Sequence, residues 1–335
     1  MSLIKKIIVF GFLFVCLSSI ALIGMTYYKV NQKNLLDNEM LITVERGTSF
    51  NRFTKKLQNK GVIETRFWLR NYIRLNKQFS EIKAGTYLIK PEQTNQSILA
   101  MIASGNEHQY SITFVEGTTF KQWLAQLNAQ PELTHQLTQN SDSISQAIKK
   151  IGIEQKNPEG LFFPDTYAFT YKTTDVEILK RAYIKMQQQL DIAWTTRAVG
   201  LPYENAYQAL IMASIIEKES GKFAEHRTIS SVFINRLNKK MRLQTDPTVI
   251  YGLGDRYQGD IKRIHLKEKT PYNTYRINGL PPTPISMPGL SALEATMQPE
   301  DTDYFYFVSN GEGKHIFSTT LTEHNKAVAK YQLAK

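Results

Sequence analysis

The first pattern along the chain is a block. After Lys5 and Lys6, residues Ile7 to Met25 are apolar or small and carry no charge. That length predicts one helix able to cross a bilayer. Ser19-Ile20-Ala21 resembles a signal-peptide cleavage site, but the apolar run continues past Ala21. Tyr27 and Tyr28 then stand where interfacial aromatics belong. The pattern therefore favours an uncleaved anchor, with Lys5 and Lys6 on the cytoplasmic side.

Beyond the block the pattern becomes periodic and repeats. "ITVERGTSF" (Ile42 to Phe50) matches "ITFVEGTTF" (Ile112 to Phe120), 70 residues later. Each copy predicts an alternating strand, a Gly-Thr turn and an amphipathic helix, with Thr48 and Thr118 as N-caps. Between the copies, Arg66 to Leu75 and Asn95 to Ala103 read as helices and Ala84 to Ile89 as a strand. Strands paired with short helices resemble LysM-type modules, which bind N-acetylglucosamine-containing glycans; a duplicated scaffold without ligand fits the same pattern. Gln130 to Lys156 reads as a polar helical connection. Asp175 to Trp194 is a long amphipathic helix capped near Thr173 or Thr174. A helix from Tyr203 runs to about Ser220 and stops at Gly221. "VFINRL" (Val232 to Leu237) lies on a further helix. Beyond Arg242 turns dominate, with strand-like "YFYFVS" and "HIFS" and a last helix near Thr322. The fold class is α+β. It comprises one transmembrane helix, LysM-like β-α modules and a mixed α/β domain.

Composition narrows the partners. The 335 residues carry a formal net charge of +11, but the basic residues are scattered and form no nucleic-acid motif. A diffuse positive charge fits an extended polyanion or an anionic membrane surface, and equally a basic but inert solubilising surface. The single cysteine, Cys16, excludes an intrachain disulfide and a cysteine-based metal site. The six histidines show no metal-ligand spacing, and no phosphate loop or dinucleotide fingerprint is present. No cofactor is implied.

Candidate chemistry concentrates in "ASIIEKESG" (Ala213 to Gly221). Glu217 and Glu219 follow the nearly all-apolar Leu210 to Ile216. Two residues apart on a helix, they point about 200° from one another and cannot act as a pair. A carboxyl in apolar surroundings has a raised pKa, which suits proton donation to a glycosidic oxygen. Each could equally be a charged helix end paired with Lys218, Lys222 or Arg227. "MRLQTDPTVIYGLG" sets Gln244, Thr245, Asp246 and Tyr251 beside a Pro turn. "TPYNTYRINGLPPTPISMPG" adds Tyr272, Asn273, Thr274 and Tyr275. Amides and hydroxyls interleaved with tyrosine rings can form a saccharide groove, or they can be plain turns.

With "EGLFFPDTY", "MASIIEKES", "SVFINRLNKKMRLQTDPTVIYGLG", "YNTYRINGLPP" and "HNKAV", the chain resembles the endolytic murein transglycosylase (YceG-like) family. The resemblance runs from anchor to C-terminus and is most specific in the last 180 residues or so. It implies an inner-membrane protein with its C-terminal portion in the periplasm and four segments. These are residues 1–30, cytoplasmic tip and anchor; 40–108, a LysM-like domain; 109–156, the second β-α repeat and connection; and 157–335, the catalytic domain. It further implies that Glu219, second glutamate of E-K-E, is catalytic, with Glu217 left as a structural partner of a basic neighbour. Gln244, Asp246, Tyr272, Asn273 and Tyr275 are the expected substrate groove. In the implied mechanism, protonated Glu219 donates to the oxygen joining N-acetylmuramic acid to N-acetylglucosamine. The carboxylate then takes the proton of the muramic C6 hydroxyl, which closes on C1 as a 1,6-anhydro end and terminates nascent glycan strands. The implied partners are glycan strands, the inner membrane and peptidoglycan synthases of the penicillin-binding type. A hydrolase would instead need a second carboxylate roughly 5–9.5 Å away, from Asp165, Glu159 or Asp246. A non-catalytic glycan-binding anchor is the other alternative.

Overall fold

The computed structural model describes residues 3–137 and 141–333. By internal contacts the chain forms two compact units. The first comprises residues 1–110 with 168–172, and the second comprises 111–167 with 173–335. The second copy of the repeat thus belongs with the C-terminal elements, not with a separate connecting segment.

The first unit opens with α1 (Leu3–Val30), which is exposed along its apolar length and long enough to span a membrane. Its last residue, Val30, is buried in the unit's core. β1 (Met40–Val44), α2 (Phe50–Asn59), α3 (Phe67–Leu75), β2 (Gly85–Ile89) and α4 (Asn95–Ser104) follow. β1 and β2 pair antiparallel, from Met40 opposite Ile89 to Val44 opposite Gly85. Alternation along the pair buries Ile42, Val44, Tyr87 and Ile89, as a half-buried ribbon requires. Phe53 and Leu57 of α2, Leu69 and Tyr72 of α3, and Ile98, Leu99 and Ile102 of α4 close over them.

β3 (Tyr110–Thr113) leads into the second unit, where α5 (Phe120–Asn128), α6 (Ser141–Ile151) and the first half of β4 (Thr166–Phe169) follow. Both copies of the repeat are strand, turn and helix, and each turn holds a glycine in the left-handed region, Gly47 at φ 74° and Gly117 at φ 71°. A Cβ is strained at such an angle. The caps lie one residue beyond the expected threonines. Ser49 caps α2, and Thr119 closes a capping box with Gln122 on α5. Thr118 instead accepts from the Trp123 indole N–H at 2.8 Å, because it still belongs to the turn.

α7 (Asp175–Thr195), α8 (Ala206–Glu219), α9 (His226–Asn238), α10 (Asp246–Leu253), α11 (Arg263–Lys267), α12 (Leu290–Met297), the hairpin β5 (Tyr306–Ser309) with β6 (His315–Ser318), and α13 (Leu321–Val328) complete the unit. α8 is its axle. Ala209 through Ile216 are all buried, and α7, α9, α10 and α12 pack around it. A helix apolar on every side has to be a core helix. α10 and α12 stand where turns were expected. Pro247 occupies the first turn of α10, where its missing N–H costs no hydrogen bond, so it opens a helix and does not mark a turn.

Candidate active site

The site is built on the C-terminal end of α8. Glu219 is its last residue, and Ser220 leaves in extended backbone, φ −143° and ψ 129°. The helix therefore ends before Gly221. Three bonds hold that exit. His226 Nε2 donates to the Ser220 carbonyl at 2.8 Å, and Ser220 Oγ accepts from the Lys222 N–H at 3.0 Å. Ser220 Oγ also reaches Glu225 at 3.4 Å. Ser291 Oγ meets the other His226 nitrogen at 3.0 Å. The α8 end is fixed from α9 and α12 together.

A cleft of about 490 Å³ opens at this end, lined among others by Glu219, Arg236, Gln244, Asp246, Tyr275 and His315. Its Gln244–Asp246 edge is pinned from the opposite loop. Gln244 N–H donates to the Thr274 carbonyl at 3.3 Å, and Thr245 N–H donates to Thr274 Oγ1 at 3.0 Å. Gln244 itself sits at φ 52°, an angle that non-glycine residues adopt at a cost and that clusters at functional sites. This loop aims the Thr245 hydroxyl at Glu219, where Thr245 Oγ1 donates to Oε1.

Electrostatics hold Glu219 near neutrality. Burial pushes its carboxyl up from the ordinary 4.5 to about 7; the Thr245 hydrogen bond opposes the rise, Asp246 adds to it, and His315 and Arg236 oppose it. A carboxyl balanced near neutrality can both give and take a proton. Arg236 is itself buried, donating from Nε to the Phe305 carbonyl and from Nη1 to the Leu243 carbonyl, each at 2.6 Å. It ties the β5 approach to the Gln244 loop and places a cation under the cleft. His315 closes one side. Its Nδ1 lies 2.8 Å from Glu225 Oε2, and its backbone N–H donates to Oε1 at 3.0 Å. Burial raises Glu225, but these bonds outweigh it and hold the carboxyl below its ordinary value.

The other expected groove residues divide. Gln244, Asp246 and Tyr275 share the cleft with Glu219, and Tyr275 donates its hydroxyl to Asp246 Oδ1 at 2.7 Å. Asn273 does not. It is buried, and its amide donates to the His265 and Glu268 carbonyls at 3.0 and 2.6 Å while accepting from Tyr275 N–H. An amide consumed by backbone cannot read a sugar, so Asn273 braces the loop that carries Tyr275. Tyr272 lies off the cleft, bonded to Thr283 Oγ1 at 2.8 Å and edge-on to Tyr251 at 4.9 Å.

The three second-carboxylate candidates also separate. Asp165 is paired with Lys185. Glu159 is buried at the start of α5, accepting from Phe120 N–H at 3.0 Å and from the Tyr251 hydroxyl at 3.3 Å. Only Asp246 lies in the cleft with Glu219. Glu217 has no ion pair among the described residues; its Oε2 accepts from Gly289 N–H at 2.9 Å, at the start of α12. A positive helix end replaces the expected basic side chain.

Arg236 and His315 were not among the expected site residues. A signal existed for the first: an arginine inside the apolar "VFINRL" is anomalous unless buried and bonded. His315 carried none, since the hairpin that delivers it lies almost 100 residues from Glu219.

A sequence model of the YceG-like family matches residues 42–330. A Bacillus subtilis (strain 168) protein named endolytic murein transglycosylase is 32% identical over 88% of this chain and 85% of its own length. A Streptococcus pneumoniae (strain ATCC BAA-255 / R6) protein of the same name is 25% identical over 88% of this chain, which spans 58% of that protein. The crystal structure of a yceG-like protein from Listeria monocytogenes aligns with TM-score 0.54 and 30% identity, over 88% of this chain and 99% of that one.

Proposed function

Because the chain belongs to the YceG-like family, we propose that it is a peptidoglycan lytic transglycosylase in which Glu219 is the single acid–base group. The observation that carries the assignment is the cleft at the end of α8. It holds one carboxyl lifted to about 7, with Thr245 fixing its oxygen and aromatic and amide side chains around it. Protonated Glu219 gives its proton to the oxygen between N-acetylmuramic acid and N-acetylglucosamine as the C1–O bond breaks. The resulting carboxylate removes the proton of the muramic C6 hydroxyl as that oxygen bonds C1. No net charge is created, Glu219 ends protonated, and no water enters. Tyr275 and Gln244 border the bound glycan. Asp246 is held by Tyr275 and keeps Glu219 protonated by its charge. Strand termination during glycan growth follows from internal cleavage.

The remainder of the reading concerns placement. α1 anchors the chain in the membrane, with the C-terminal portion outside the cytoplasm, where glycan is polymerised. Residues 40–108 form a LysM-like module; their β-α-α-β order and antiparallel pair support that assignment. Synthases of the penicillin-binding type are the proposed partners, because their product is this substrate.

Digestion of purified sacculi by the full chain and by Glu219→Gln, followed by mass analysis of the fragments, tests the proposal. Anhydro ends, lighter by one water than reducing ends and absent with the variant, are expected. Reducing ends would make Asp246 a water activator and the protein a hydrolase. Binding without release by either protein would leave a glycan anchor.

A further inference from the structure

The first unit carries a second groove, of about 360 Å³, lined by Gln58, Thr65, Arg66, Phe67, Arg70, Asn71 and Arg74. Its chemistry is one-sided. Arg66, the N-cap of α3, and Arg70 and Arg74 on the helix recur every four residues along one stripe, and none makes an ion pair among the described residues. No lining residue is acidic. Asn71 Nδ2, also in the lining, is a buried donor without a partner among the described residues. Three cations lining one hollow form a receptor for a phosphate group, and Asn71 Oδ1 accepts from Arg74 Nη1 at 3.4 Å. Phe67, half exposed beside them, adds an apolar wall that a free inorganic ion would not need.

The position of α3 identifies the source of the phosphate. Tyr27, one turn before the end of α1, packs edge-on against Tyr72 at 5.3 Å and receives a hydrogen bond from Asn76 at 3.1 Å. The C-terminal end of α3, with Arg74 and the exposed Leu75, therefore lies nearest the apolar run of α1. Arg70 and Arg74 are about 6 Å apart along the helix axis, which matches the roughly 5–8 Å depth of a headgroup layer. We propose that this groove binds the headgroup phosphate of an anionic phospholipid and so holds the first unit against the bilayer surface. The inference rests on reading α1 as a membrane anchor.

The full chain, delipidated in detergent and offered equal phosphatidylglycerol and phosphatidylcholine, is examined by native mass spectrometry. Each basic residue near an anionic surface contributes about fivefold, so phosphatidylglycerol is expected to be retained at least about fivefold over phosphatidylcholine. The Arg70→Gln/Arg74→Gln chain should bring that ratio close to one. Arg70→Lys/Arg74→Lys should keep part of it, which guards against a loss of fold in the glutamine pair. Lys55→Gln/Lys60→Gln, an equal charge change at exposed positions on α2 and just after its end, should leave it unchanged. Equal retention by the unaltered chain, or a preference that survives the glutamine pair, overturns the site. So does displacement of the lipid by millimolar inorganic phosphate. Flotation with vesicles of both compositions separates the two readings. A chain that floats with neither has no anchor, whereas one that floats with both and retains no phosphatidylglycerol lacks only the headgroup site.

Discussion

Glu219 and Glu159 lie in the same unit, and both carboxyls are pushed from 4.5 to about 7, each chiefly by burial. Their surroundings then diverge. Glu219 opens on a cleft of about 490 Å³. Glu159 is sealed, with one oxygen on the first N–H of α5 and the other on Tyr251. A raised pKa reports desolvation. Whether it also reports chemistry depends on access, and only one of these carboxyls can reach a substrate. Glu159 is a brace that happens to be hard to ionise.

The widest separation should come from replacing each with glutamine. Glu219→Gln removes the proposed proton donor and is expected to lower turnover on sacculi by about 10²–10⁴-fold, with unfolding temperature unchanged or raised. Glu159→Gln should leave turnover within a few-fold, because its amide oxygen can still accept from Phe120. A Glu159→Gln protein as inactive as Glu219→Gln would erase the distinction between the two sites.

Stability against pH should then mark Glu159. Its folded pKa lies above the unfolded value, so its contribution is full below about pH 4.5 and is lost as pH rises through about 7. A shift of this size corresponds to about 3 kcal/mol. Urea unfolding between pH 4.5 and 8 should show the unaltered chain weakening over that window, and Glu159→Gln weakening by about 3 kcal/mol less. Identical slopes for the two would mean that Glu159 is ionised in the fold.

Glu219 should reveal itself instead in the pH profile of kcat/KM. In the proposed mechanism the acid form is the active one, so activity is expected to fall as pH rises through about 7. Thr245→Val removes a hydrogen bond that favours the charged form and should move this limb to higher pH. Asp246→Asn removes a negative neighbour and should move it to lower pH. Shifts of the same sign from both variants would show that Glu219 is not the titrating group.

What the sequence disclosed follows from range. Helices and strands with a clear period, such as β1, α3, α7 and α8, are found within a few residues of the expected bounds. α10 and α12 were missed because each is short and set among prolines and glycines, and tertiary packing on α8 decides their form. The site shows the same division. Glu219 stands out locally as a carboxyl after an apolar run, and Gln244, Asp246 and Tyr275 as sugar-type side chains. Asn273 has that chemistry too, but its amide is consumed within the loop. Arg236 and His315 reach the cleft through hydrogen bonds to residues distant in sequence, which no local pattern encodes.

Glu217 gives the smallest expected effect and the closest control. It lies two residues from Glu219 on the same helix, and burial raises its carboxyl too, against the Gly289 N–H. Yet its bond is to the start of α12, and it does not line the cleft. Glutamine keeps an acceptor for Gly289 and gives up only the favourable charge at that helix end, about 0.3–1 kcal/mol. Glu217→Gln should therefore retain turnover within about threefold of the unaltered chain, far less than the 10²-fold minimum expected of a lost general acid. Its pH profile should keep the limb near 7. If Glu217→Gln were inactive and Glu219→Gln active, the roles of the two glutamates would be reversed, and α8 would have to present its other face to the glycan.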